Sequence, residues 1–163
     1  MHHSGSPGIT AKAVWEVLRS TISTPLSMGL YLLPELMVDD LLGSVVSGDS
    51  TNPDRLFDND LLNPNAFALN QYTDIHLARP CRISELRHHG QTSNANSRYR
   101  LQAWVNGAWV DVLVDIVDRN DISWSDWLPV DTVRTSQIWR IECTTFDTNA
   151  NLREVELKGI PFA

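Results

Sequence analysis

The 163-residue chain contains little cysteine and no long apolar run. Its two cysteines, Cys81 and Cys143, are too far apart in sequence to form a metal-binding pair of the usual close spacing. One disulfide and two reduced thiols both fit the sequence, and we expect buried thiols on strands because cysteine packs as a small hydrophobe. The most apolar stretch, 30–42, contains Pro34 and several carboxylates. It is therefore too short and too charged to span a bilayer, and we expect no membrane insertion.

An excess of basic residues is also missing. Lys and Arg total 13 against 20 Asp and Glu, so the formal net charge is −7. Because neutralising phosphates requires clustered cations, this balance argues against nucleic-acid binding, while it is compatible with binding of a cation. The polar start, 1–8, lacks the basic and apolar regions of a signal peptide, so we expect none. The hydrophobic fraction of 42% is that of a globular protein.

The familiar catalytic motifs are absent as well. The sequence has no Gly-x-Ser-x-Gly, no His-Glu-x-x-His and no glycine-rich phosphate loop. His88 and His89 are adjacent, and on a strand they would point to opposite faces, which disfavours joint ligation of one metal. Carboxylates are plentiful, but any acidic protein offers pairs of them, so they do not indicate glycoside hydrolysis. We therefore expect a protein that is not an enzyme.

The pattern along the chain divides it into an N-terminal arm, 1–43, and a strand-rich region, 44–163. In the arm, Thr10 can cap a short helix over 11–22, where aliphatic residues recur at helical spacing. Residues 26–43 are apolar but irregular. They either cover the main domain of their own chain or dock on a neighbouring subunit.

Apolar and polar residues alternate in the second region. The alternating runs 99–105 and 110–114 flank Asn106-Gly107, a strong hairpin signal because both central turn residues need a positive φ. Further short strands are predicted at 74–77, 82–88, 139–143 and 154–157. Many short strands separated by turns indicate an antiparallel β-sandwich.

Four segments in this region resemble, in order, the discoidin-type sandwich of coagulation-factor C-type domains. They are 52–60 (NPDRLFDND), 74–80 with 82–86 (DIHLARP and RISEL), 97–104 with 106–109 (SRYRLQAW and NGAW), and 138–141 with 152–159 (IWRI and LREVELKG). The resemblance implies an all-β, antiparallel jelly-roll β-sandwich of the galactose-binding-like kind, preceded here by a short N-terminal helical arm.

A narrower resemblance is to small tail or adsorption proteins of tailed bacteriophages. It rests on 31–37 (YLLPELM), on the turn that begins at 47 (SGDS) and on 86–92 (LRHHGQT). It implies a non-enzymatic virion structural protein of the tail, adaptor or baseplate type. Such a protein would be assembled in the host cytoplasm, in multiple copies and symmetrically, with other virion proteins as partners. The alternative function is a carbohydrate-binding module for host-surface or polysaccharide glycans.

The discoidin resemblance also implies a candidate calcium site at Asp58, Asp60 and Glu154. Calcium takes six to eight oxygen ligands, and carboxylates on a turn commonly supply them. The sequence departs from the family pattern at Asn59, where the family has Gly, and no Thr follows at the expected offset. In the alternative interpretation Asp58 and Asp60 form an Asx turn and Glu154 is solvated.

Family members bind sugars with loops at one end of the sandwich, and the most loop-like aromatic residues here are Trp124 and Trp127. An exposed indole ring can stack on the apolar C–H face of a sugar. Polar contacts could come from His88, His89, Asn94 and Arg98. The alternative is that both tryptophans cap the core or contact another subunit, because large aromatic residues dominate both settings.

Overall fold

The computed structural model describes residues 36–37, 45–92, 96–118, 120–130, 133–146 and 150–162. The helix predicted at 11–22, and all of the arm except 36–37, lie outside these residues. Over the described ranges the chain forms strands and one short 3-10 helix, and no helix there is long and apolar enough to cross a membrane.

The strands pair in antiparallel fashion throughout the described residues. Their bounds are β1 (Leu36–Met37), β2 (Val45–Gly48), β3 (Asn65–Phe67), β4 (Tyr72–His89), β5 (Arg98–Val105), β6 (Ala108–Val117), β7 (Leu128–Pro129), β8 (Ser136–Thr145), β9 (Ala150–Leu152) and β10 (Glu154–Pro161), with the 3-10 helix at Pro53–Leu56. The main sheet has the order β1-β10-β4-β8-β5-β6, with β2 and β7 also paired to β4, while β3 and β9 form a separate two-stranded sheet. The all-β antiparallel prediction is confirmed.

Strand β4 changes its neighbours along its length. Over 73–76 it pairs with β2 and β8, and over 81–89 it pairs with β10. Between these parts, 78–80 are exposed and the register with β8 shifts. Pro80 lies at this point, where a strand can accept a residue without a backbone N–H. The sequence predicted two separate strands here, and the structure joins them into one that serves both halves of the sandwich.

The core confirms the predicted alternation. Trp139 is fully buried, and its Nε1 donates a hydrogen bond to the carbonyl oxygen of Ser136 at 2.9 Å. Phe67 and Tyr99 meet edge to face with ring centroids 5.4 Å apart. Each such side chain contributes roughly 1.5–3 kcal/mol to folding through burial.

The hairpin is formed as predicted. Asn106 and Gly107 have φ angles of 52° and 83°, and Val105 pairs with Ala108 across the turn. Both turn residues are in the left-handed region, which asparagine and glycine tolerate better than other residues.

The two cysteines are free thiols in the core, as we expected. Burial raises the pKa of Cys81 to about 12 and that of Cys143 to about 11. Both are therefore protonated and unreactive at neutral pH.

Candidate functional site

Trp124 and Trp127 lie over the outer face of β4 and β10. On this face each side chain of β4 stands opposite one of β10 in three acid–base pairs: His89 with Glu154, Arg87 with Glu156, and Glu85 with Lys158. The residues between them, such as Leu86 and Leu157, point into the core. We call Glu85, Arg87, Trp124, Trp127, Glu156 and Lys158 the tryptophan-pair surface.

Two cations hold the tryptophans in place. The guanidinium carbon of Arg87 lies 4.5 Å from the ring centroid of Trp124 and 4.7 Å from that of Trp127, and Nζ of Lys158 lies 4.0 Å from the Trp127 ring. Since both cations project from strands, they approach the rings from the side of the sheet. Arg87 Nε donates to Glu156 at 2.5 Å, and Lys158 Nζ donates to Glu85 at 2.6 Å. Cation–π contacts of this kind stabilise by about 0.5–2 kcal/mol each.

Backbone contacts fix the segment 120–130, which carries both tryptophans. The amide of Ser125 donates to the carbonyl of His88 at 2.8 Å, and the amide of Gly90 donates to the carbonyl of Ser123 at 3.2 Å. A Cβ at Gly90 would lie 2.6 Å from Oδ1 of Asp118 and 2.7 Å from the backbone oxygen of Asp121. Only glycine therefore lets the end of β4 approach this segment so closely.

The predicted polar contacts are not all gathered here. His89 meets Trp124 edge to face at 5.3 Å but is only 5% exposed, and His88, on the other face of the strand, is 3% exposed. Arg98 begins β5 and forms an ion pair with Asp115 at 3.4 Å. In the described contacts nothing joins Arg98 to either tryptophan. Asn94 lies outside the described residues.

The predicted calcium ligands also fall in different surroundings. Oδ1 of Asp58 accepts the amide of Asp60 at 2.8 Å, and Oδ1 of Asp60 accepts the amide of Leu62 at 2.9 Å, so both form Asx turns. The pKa of Asp60 is lowered by this hydrogen bond from Leu62 and by one from Asn63. Glu154 is 2% exposed and stands opposite His89 in β10.

The guanidinium of Arg153 binds the backbone directly after Asp60. Arg153 donates from Nη1 to the carbonyl oxygen of Leu61 and from Nε to Oε1 of Gln91, both at 2.6 Å. The turn that would hold calcium is thus already held by a cation of the chain. In the part of the chain that the structure describes, no three His, Cys, Asp or Glu side chains are grouped to hold a metal. The calcium site stays a prediction for titration to test.

A second aromatic cluster covers the outer face of β4, β8, β5 and β6. Arg140 donates to both carboxylate oxygens of Asp74, at 2.6 and 3.0 Å. Its guanidinium carbon lies 3.5 Å from the ring centroid of Tyr72 and 4.1 Å from that of Trp109. Burial opposes the charge of Arg140, but Asp74 more than offsets this and raises the pKa of the guanidinium.

Beyond this cluster lies an open groove of about 580 Å³. Its lining consists of His76, Pro80, Trp104, Thr135, Ser136, Gln137 and Ile138. We call it the Trp104 groove. The ring of Trp104 packs edge to face on Trp109 at 5.1 Å, and the residue is 38% exposed. Sequence reasoning did not assign this groove, although the alternation along β5 places Trp104 on the outer face, like Arg100 and Gln102.

No protein-family model and no curated protein sequence matches the chain. Solved structures do. The C-terminal domain of a chitobiase from Bacteroides fragilis matches with a TM-score of 0.65 and 13% identity, over 80% of this chain and all of that one. The family 32 carbohydrate-binding module of NanJ from C. perfringens, in complex with galactose, matches with a TM-score of 0.57 and 16% identity, over 71% of this chain and 93% of that one. A pectin-binding carbohydrate-binding module matches with a TM-score of 0.56 and 12% identity, over 72% and 89%.

These matches correct one prediction. The bacteriophage virion function is wrong, because the structural neighbours are carbohydrate-binding modules and nothing in them indicates a virion, virion partners or a symmetric assembly. The chain has the galactose-binding-like, discoidin-type fold of the family 32 carbohydrate-binding modules.

Proposed function

We propose that this protein is a carbohydrate-binding module without catalytic activity, and that its glycan binds at the tryptophan-pair surface. The observation that carries the proposal is the pair of half-buried indole rings held side by side over paired charges. The fold, shared with modules whose structures contain galactose or bind pectin, supports the same class of ligand.

The chemistry of this surface suits a sugar. Both tryptophans are half-buried, so part of each indole is open to solvent, where it can cover the apolar C–H face of a pyranose. Glu156, which accepts from Arg87, and Lys158, which lies over the Trp127 ring, carry charged groups that can exchange hydrogen bonds with hydroxyl groups. Arg87 uses Nε for Glu156, and a guanidinium has four further N–H donors.

The surface is also preformed. Ion pairs, cation–π contacts and the backbone bonds of 120–130 fix both rings before any ligand arrives. Binding therefore orders few side chains, each of which would otherwise cost about 0.5–1.5 kcal/mol.

Calorimetric titration with galactose, pectin and alginate tests the proposal. We expect the wild type to bind at least one of them and Trp127→Ala to bind it about tenfold more weakly, the effect of losing ~1.4 kcal/mol of contact. Val133→Ala, at an exposed apolar position away from both tryptophans, is the control and should bind like the wild type.

Melting temperatures measured in parallel separate binding from folding. A variant that melts lower but binds unchanged would assign the tryptophans a purely structural role. That result, or a wild type that binds none of the three glycans, would refute the proposal.

A further inference from the structure

Trp104 is the exposed indole on the half of the sandwich that lacks the tryptophan pair. Among the described residues it is the one aromatic side chain in the group of exposed large hydrophobic residues. The ring also lines the groove, and aromatic side chains are typical of the lining of ligand sites.

The ring is held from two sides. Trp109 packs against it edge to face, and Trp109 is itself stacked on Arg140, which Asp74 fixes with two hydrogen bonds. From the backbone side, Oγ of Ser136 donates to the carbonyl oxygen of Trp104 at 2.8 Å. The carbonyl oxygen of Ser136 in turn accepts a hydrogen bond from Nε1 of the buried Trp139. The exposed ring is therefore anchored to the core.

The rest of the lining combines the apolar Pro80 and Ile138 with hydrogen-bonding side chains. His76, Thr135 and Gln137 offer hydrogen-bonding groups, and the lining contains no carboxylate. In the described contacts, the Gln137 side chain donates one long hydrogen bond of 3.5 Å, from Nε2 to the carbonyl oxygen of Ala78. Its amide oxygen is thus available as an acceptor. The volume of about 580 Å³ is within the roughly 300–1,000 Å³ of small-molecule sites.

We propose that the Trp104 groove is a second glycan-binding site, separate from the tryptophan-pair surface. A pyranose ring stacks its C–H face on Trp104, while its hydroxyl groups meet His76 and Gln137. One aromatic platform beside hydrogen-bonding side chains, with no carboxylate in the lining, is a combination that suits an uncharged sugar. The two sites share no residue, so each can be removed without altering the other.

Nuclear magnetic resonance with galactose and with pectin oligosaccharides tests the proposal. The six tryptophans give six indole N–H signals, and Trp104→Phe assigns the one of interest. We expect sugar to shift the signals of Trp104 and Gln137 together, with an affinity different from that at Trp127. Covering about 60 Å² of indole surface is worth about tenfold in affinity, so Trp104→Ala should lose that factor at the groove. Trp104→Phe should recover part of it, and Val133→Ala should have no effect.

The outcomes separate the two sites. Loss of the groove shifts in Trp104→Ala, with the Trp127 shifts retained, supports the second site. Shifts confined to Trp127 in the wild type overturn it and leave the proposed function standing. Shifts confined to Trp104 support the groove and refute the tryptophan-pair surface as the binding site. No shift at Trp104 with either probe overturns the inference.

Discussion

The face of β4 and β10 and the face of β4, β8, β5 and β6 carry similar clusters that differ in exposure. Each has an arginine between two aromatic rings and a carboxylate on the neighbouring strand: Arg87 with Glu156, and Arg140 with Asp74. On the first face the arginine lies directly beneath the tryptophans that meet solvent. On the second it holds an inner ring, Trp109, and the exposed ring of Trp104 is one contact further out.

The comparison shows that a ring can be fixed in position without a cation stacked directly on it. A cation under a ring fixes the ring but covers one of its faces, whereas an edge-to-face neighbour fixes a ring and leaves more of it open. The more enclosed pair is Arg140–Asp74, whose side chains are 16% and 15% exposed, against 30% and 15% for Arg87–Glu156. We therefore expect Arg140 to contribute more to folding than Arg87.

The largest effect is expected for Arg140→Ala. It would leave Asp74 enclosed without its partner, and we expect a loss of about 2–3 kcal/mol in the free energy of unfolding in urea. Arg98→Ala is the matched control, because the Arg98–Asp115 pair is largely exposed and such pairs contribute about 0–1 kcal/mol. Equal losses in the two variants would contradict this account of the sheet face.

A smaller loss, about 1–2 kcal/mol, is expected for Arg87→Ala, which removes one ion pair and two cation–π contacts. Arg87→Lys keeps the charge but loses the planar group, and should fall between the wild type and the alanine variant. Urea unfolding measures both. Galactose shifts at Trp104 should survive in each variant, and their disappearance would show that the two faces are coupled.

The third prediction compares two tryptophans directly. Trp104→Ala should lower the free energy of unfolding by less than about 1 kcal/mol, because the ring is exposed and its backbone contacts persist. Trp124→Ala should cost more, since it uncovers Arg87 and His89. Thermal melts of the two variants decide the order, and a reversed order would mean that Trp104 is part of the structural core.

The smallest effect on the melting temperature is expected when a chelator removes any calcium. Because Arg153 already bridges Leu61 and Gln91, we expect a chelator to leave the melting temperature unchanged. Added calcium should likewise leave galactose binding unaltered. A lower melting temperature in the chelator would establish the ion and contradict the role of Arg153. It would also place Glu154 in a calcium site beside the tryptophan pair and so distinguish the two faces further.

The sequence predicted those parts of the fold that local pattern controls. Asn106-Gly107 specified the hairpin because few residues tolerate a positive φ, and alternation identified β5 and β8 with the buried Trp139. The continuity of β4 was missed because its two ends pair with different strands, and those pairings are long-range. The exposed residues 78–80 interrupt the alternation between them.

The candidate sites, too, could be predicted only where a local sequence pattern identifies their residues. Trp124 and Trp127 could be recognised as a pair because they are three residues apart, but no local pattern links them to Arg87 or Lys158. The strand period correctly put His88 and His89 on opposite faces. It could not predict that Trp124 would cover His89, which is 5% exposed. The alternation along β5 places Trp104 on the outer face, but the groove beside it was missed because His76 and Gln137 come from other strands and no local pattern links them to Trp104.

Strand β4 limits the distance between the Trp104 groove and the tryptophan-pair surface, because it contributes a residue to each. His76 borders the groove, and Arg87 lies under the tryptophan pair on the same strand. At about 3.3 Å per residue, their separation cannot exceed roughly 36 Å. A polysaccharide long enough to reach both would be held at two points of fixed spacing, and its apparent affinity would rise through effective concentration without any new contact. Short sugars would gain nothing, so this one strand would make the protein selective for chain length.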